Sequence, residues 1–178
     1  MRHLVIMSAV ALAAGTASAA LVEVESNNTL ATANVVPGAV FAVSGGFAFD
    51  GSIVPDDVDY ITLGTTLNAG DFLVASVFEN FVTIPTADSM LALFNSAGTE
   101  IEFDDDDGPA ALSSFGVIIP ATGVYTLAIT GYNDRNFDGL THPEDFDYKL
   151  IVGVNRIPEP ATLGLLAGAA VLGLRRRA

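Results

Sequence analysis

Between residues 20 and 157 no apolar run lasts longer than a β-strand before Gly, Pro, Asn or Asp interrupts it, and this punctuation excludes most helical folds. Phe47, Phe49, Gly51 and Ile53 share one parity, and Val58 to Leu63 alternates after a turn at Pro55-Asp56-Asp57. Further strands are expected over Val40–Ser44, Phe72–Phe78, Met90–Phe94, Thr99–Phe103, Phe115–Ile119, Val124–Ile129 and Phe146–Val154. Only Thr29–Asn34 has helical character, and it is short enough to be a turn. The pattern predicts an all-β chain, an antiparallel jelly-roll-like β-sandwich of about eight or nine strands. The polar stretch Tyr132 to Phe146 is expected to be an exposed loop and a working edge, with Tyr132 and Phe137 as candidate ligand contacts.

Charge narrows the partners. Residues 20–156 hold twenty acids against Arg135, Lys149 and Arg156, a formal charge of −17. Such a surface repels nucleic acid and attracts divalent cations. There is no cysteine, so no disulfide staples the domain and stability has to come from its core or a bound ion. His142 is the one histidine beyond the N-terminal segment and reads as a loop residue, and no Gly-x-Ser-x-Gly elbow is present. The enzyme class left open is a carboxylate-based glycan hydrolase; a non-enzymatic protein is expected.

The two apolar ends read as targeting segments. Met1-Arg2-His3, the apolar run Leu4–Ala14 and the small-x-small site Ala17-Ser18-Ala19 form a signal peptide, a helix over residues 1–19 removed by signal peptidase. At the other end Pro158-Glu159-Pro160 precedes the fourteen apolar residues Ala161–Leu174 and then Arg175-Arg176-Arg177. Arginines flanking an apolar segment stay on the cytoplasmic side. Fourteen residues fall short of the roughly 20 needed to span a bilayer alone, which suits a temporary transmembrane helix. This order of parts, residues 157–178, resembles the PEP-CTERM sorting signal of Gram-negative bacteria. The resemblance implies a transient inner-membrane anchor, cleavage by an exosortase, and release to the cell surface or extracellular matrix.

The N-terminal stretch places Glu23, Glu25 and Asn27 at every second position, so an extended chain turns three oxygen-bearing side chains to one face. Together with Asn28, Gly51-Ser52, Asp56-Asp57-Val58-Asp59-Tyr60, Leu91-Ala92-Leu93-Phe94 and Gly123-Val124-Tyr125-Thr126-Leu127, it resembles the bacterial pre-peptidase C-terminal domain. The similar collagen-binding modules of clostridial collagenases imply a Ca²⁺ site whose ligands would be Glu23, Glu25, Asn27, Asn28, Asp56 and Asp59. Asn28 departs from the acid common at its position, which removes one charge. Calcium takes six to eight oxygen ligands, and this set supplies hard oxygens only.

The remaining acids carry weaker signals. Asp104–Asp107 lacks the ligand spacing of an EF-hand loop and reads as a solvated turn, while Asp134, Asp138, Glu144, Asp145 and Asp147 have no spacing that fixes a site. The expected protein is an exported cell-surface or matrix component with a calcium-stabilised sandwich. The alternative is an adhesion module for an extracellular polysaccharide or matrix protein.

Overall fold

Strict alternation in the last strand explains the architecture. In Phe146–Asn155 the side chains of Phe146, Tyr148, Leu150, Val152 and Val154 are buried while the residues between them are exposed or half-buried, as expected where one sheet face meets a core. The computed structural model describes residues 21–38, 45–79 and 87–156. Signal segment 1–19, sorting segment 157–178 and the strand expected at Val40–Ser44 lie outside the described residues.

Ten strands follow in order: β1 Leu21–Val22, β2 Asn34–Pro37, β3 Gly45–Ile53, β4 Val58–Gly64, β5 Phe72–Glu79, β6 Ser89–Asn95, β7 Glu100–Asp104, β8 Ser114–Ile118, β9 Tyr125–Gly131 and β10 Phe146–Asn155. They form two five-stranded sheets, β1-β3-β10-β5-β8 and β2-β4-β9-β6-β7. The all-β expectation holds, and the extra strands come from the N-terminal segment, where β1 and β2 are too short to show a period. Their pairings also correct the purely antiparallel expectation. β1 runs parallel to β3 and β2 parallel to β4, while all other strand pairs are antiparallel. A chain that adds one edge strand to each sheet in turn has to cross between the sheets, and that crossing makes parallel pairs possible.

The main core lies between the sheets and contains Phe49, Ile53, Ile61, Leu63, Leu73, Leu91, Leu93, Leu127, Tyr148 and Leu150. A second, smaller core lies on the far face of the β2-β4-β9-β6-β7 sheet, where Val58, Tyr60, Met90, Ala92 and Ala128 pack beneath Phe137. Every residue of β9 is therefore buried, because both of its faces are covered. The cover is the stretch after β9, so the expectation of a wholly exposed working loop at Tyr132–Phe146 is corrected.

Phe137 is 3% exposed and makes edge-on ring contacts with Phe94 and Phe103 at 5.7 and 6.2 Å, while its carbonyl accepts the Tyr60 hydroxyl at 2.9 Å. Asp134 is fully buried and accepts hydrogen bonds from the Thr130 hydroxyl and the amides of Asp138 and Gly139, which sets the bend of the loop. Arg135 stacks 3.7 Å from the Phe103 ring and forms a two-pronged pair with Glu100. Of the two aromatics expected to meet a ligand, Phe137 is a core residue, while Tyr132 is 51% exposed.

Replacing Phe137 with Ala empties the second core and is expected to cost about 3 kcal/mol in urea denaturation, while Tyr132→Ala should stay within roughly 0.5 kcal/mol. Equal effects of the two substitutions would contradict this division of roles.

Candidate cation site at the sheet crossover

The segment that carries the first acids is a strap between the two sheets. β1 pairs with β3, and the Glu23 amide extends that ladder to the Asp50 carbonyl at 2.9 Å. The Asn34 side chain then clasps Val24, donating to its carbonyl at 2.9 Å and accepting from its amide at 2.8 Å. The strap reaches the other sheet where the Asn27 carbonyl accepts the Tyr60 amide at 3.1 Å. Thr29 to Thr32 then closes the expected turn, before β2.

Beside this strap the chain also crosses from β3 to β4. Asp57 precedes β4, and Asp59 shares the inward parity of Ile61 and Leu63. Glu23, Glu25, Asp57 and Asp59 thus converge, each offering a carboxylate oxygen within 4.8 Å of the others. Partners fix most of these groups. Glu23 accepts from the Ser52 amide at 2.8 Å and from the Asn27 side-chain amide at 3.2 Å. Asp57 accepts from the Asn28 side chain at 2.6 Å and from the Val58 amide at 2.9 Å. Asp59 accepts the Tyr148 hydroxyl at 2.7 Å. Gly51 faces Tyr148 across the ladder, and a Cβ there would lie 2.5 Å from the tyrosine ring, so glycine is what lets this hydroxyl reach the acid.

Three oxygens remain over. Asn27 Oδ1, Asp57 Oδ2 and Asp59 Oδ1 are buried and have no hydrogen-bond partner among the described residues, although Asn27 and Asp59 are fully buried and Asp57 is 3% exposed. A buried oxygen without a donor is costly, and the four carboxylates, two of which carry such an oxygen, form with the Asn27 amide oxygen an all-oxygen donor set of the kind a hard divalent cation takes. The set contains no nitrogen or sulfur ligand, so it does not resemble a zinc site.

The protonation behaviour follows from the crowding. Burial pushes the Asp59 carboxyl up to about 10, reinforced by its hydrogen bond to Glu23 and by the Glu23 and Asp57 charges. Burial also leads in raising Glu25 to about 7, with the Glu23 contact and the Asp57 and Glu23 charges adding to it. Asp57 is raised, chiefly by burial. For Glu23 burial works upward, but hydrogen bonds from Asp59, the Ser52 amide, Glu25 and Asn27 outweigh it and hold the group below its ordinary value. Burial and crowding thus favour a proton held between Asp59 and Glu23.

The structure assembles Glu23, Glu25, Asn27 and Asp59 of the expected ligands. Asn28 lies one step out and orients Asp57. Asp56 is not in the group: it is exposed at the turn with φ 62°, and Asp57 stands in its place. The alternation that aligned Glu23 with Glu25 would have selected Asp57, two residues before Asp59, had it been applied across the turn. His142 is a loop residue, as expected, but a buried one: it is 2% exposed and its Nε2 lies 2.6 Å from the Asp57 carbonyl oxygen and 3.1 Å from the Asp57 amide nitrogen. It props the turn from beneath. Asp88, Asp105 and Asp106 form a second, more open acidic group, while Asp104 is buried and ties the amides of Asp107 and Ser114.

Raised acids bind more protons folded than unfolded, so their stabilisation is present below about pH 4 and is lost as pH rises through the folded values. In a chelator the melting temperature should therefore fall between about pH 5 and pH 8, as Glu25 loses its proton near 7. A melting temperature that climbs across this interval would contradict the crowded arrangement.

The sequence matches no protein-family model and no curated protein. The fold is similar to the crystal structure of Aeromonas hydrophila PliG, a periplasmic inhibitor of g-type lysozyme, with a TM-score of 0.50 and 15% identity over 77% of this chain and 100% of that one. Yersinia pseudotuberculosis-derived mitogen aligns with a TM-score of 0.44 at 19% identity, over 67% of this chain and 94% of that one. The pre-peptidase C-terminal domain of a Bacillus anthracis collagenase aligns with a TM-score of 0.43 at 16% identity, over 67% and 93%. The likeness to the inhibitor is one of fold.

Proposed function

We propose that the chain is an exported, non-enzymatic surface or matrix protein whose sandwich is clipped shut by Ca²⁺ at the crossover. The observation that carries the calcium reading is the set of three buried, unpartnered oxygens of Asn27, Asp57 and Asp59 within the four-carboxylate group. Glu23, Glu25, Asp57, Asp59 and the Asn27 side-chain oxygen would hold the ion. Its charge would offset the carboxylates and tie the strap to β4. An extracellular module needs only a dissociation constant of about 10⁻⁴ to 10⁻³ M for this.

Export and sorting rest on the ends of the sequence. The signal peptide calls for signal peptidase. Pro158-Glu159-Pro160, the apolar segment and Arg175-Arg176-Arg177 call for an exosortase that releases the domain from the inner membrane. The non-enzymatic reading is supported by His142, which is enclosed and committed to the Asp57 backbone.

Calcium at ten times its dissociation constant adds about 1.4 kcal/mol, or roughly 4 °C in melting temperature for a domain of this size. Asp59→Asn and Asp57→Asn should abolish that rise, and Asp56→Asn should keep it. No rise at millimolar calcium rejects the reading.

A further inference from the structure

The two ends of the sandwich differ sharply in charge. At one end β3 finishes, β4, β6, β8 and β10 begin, and β7 and β9 finish. Asp56, Asp57, Asp88, Asp104 to Asp107, Glu144 and Asp145 all gather there. Among the described residues the other end is built from the connections 65–71, 96–99 and 119–124, and their one acid is Asp71. Asp71 is fully buried and accepts the Asn68 amide at 2.9 Å. Glu100, which opens β7 just past the 96–99 turn, is held by Arg135.

Apolar side chains are exposed at this end without acids beside them, unlike Val54 and Leu140, which are exposed at the acidic end. Ile118 is 66% exposed, Phe72 lies opposite it across the β5–β8 ladder at 43%, and Val124 on the next connection is 37% exposed. Phe72 also pairs with Asn155 at the end of β10. The following residue, Arg156, hydrogen-bonds Thr65 Oγ1 at 3.1 Å and the Thr66 carbonyl at 3.2 Å, so the chain leaves the domain at this end. Five residues later the apolar segment Ala161–Leu174 begins, a reach of at most about 17 Å in extended chain.

We propose that this end is a bilayer-facing surface. While the precursor is anchored, Phe72, Ile118 and Val124 rest in the interfacial layer of the membrane. Anionic lipid repels the carboxylate-rich end and turns it outward. The proposal rests on the reading of Ala161–Leu174 as an anchor, and goes beyond it by fixing which side of the domain the lipid touches. The same orientation presents the crossover acids to the solvent, away from the membrane.

Because the chain has no cysteine, single-cysteine labelling tests this directly. Ile118→Cys, Val124→Cys and Asp106→Cys, in the processed chain from Ala20 to Ala178, would carry an environment-sensitive fluorophore. The vesicles would contain phosphatidylethanolamine and phosphatidylglycerol with brominated acyl chains. Quenching is expected to be several-fold greater at 118 and 124 than at 106. Thr122→Cys, also exposed, replaces either variant if its melting temperature drops. Equal quenching at both ends, with the chain still bound to vesicles, overturns the surface but leaves the anchor standing. A chain that does not float with vesicles overturns both. Shielding of 118 without lipid and at rising protein concentration would assign the surface to a second copy and overturn the proposal.

Discussion

Everything at the crossover follows from the repulsion between four carboxylates that the fold forces together. Two unit charges 4 Å apart at an effective dielectric of about 20 repel by about 4 kcal/mol, so full ionisation of this group would oppose folding at the point where the sheets are joined. The local structure is arranged around that cost. The Ser52 and Val58 amides, the Asn27 and Asn28 side chains and the Tyr148 hydroxyl each supply a donor, and burial raises the Asp59 carboxyl. What is left is a small set of buried oxygens without a donor, those of Asn27, Asp57 and Asp59.

The position of the group gives it leverage. β1 and β2 are short edge strands of different sheets, and the strap between them is held by few backbone bonds. Without cysteine the chain has no covalent means of fixing that strap. A cation shared by strap and β4, as proposed, would close a short loop across the sandwich side, the role a disulfide plays in many small domains. Next to it, the cover of β9 by the Phe137 loop is held by aromatic contacts and by the hydrogen bonds that the buried Asp134 accepts.

Much of the sandwich could be read from residue order, since β3, β5 and β10 alternate between core and solvent and their period is visible. The period failed where a strand is covered on both faces. β9 alternates Tyr125, Leu127 and Ile129 with Thr126, Ala128 and Thr130, the pattern of a strand with one open face, and nothing local to Phe137 announces that it is the lid over Tyr60 and Phe94. Such contacts join residues more than thirty positions apart, beyond the reach of any window. At the site, parity identified Glu23, Glu25 and Asn27 because they lie on one extended segment. Asp57 was missed in favour of Asp56 because a turn intervenes, and a turn resets which side chains point inward. The burial of His142 was missed because its partner is a backbone group, which leaves no trace in residue type.

The account stands or falls on whether calcium fastens the strap. Amide hydrogen exchange of the purified chain, with and without millimolar calcium, reads this residue by residue. The amides of Glu23 and Tyr60, which bond to Asp50 and Asn27 at the two ends of the strap, should slow markedly on adding calcium, while those in the middle of β10 should not change. Unchanged exchange at Glu23 and Tyr60 would contradict the account.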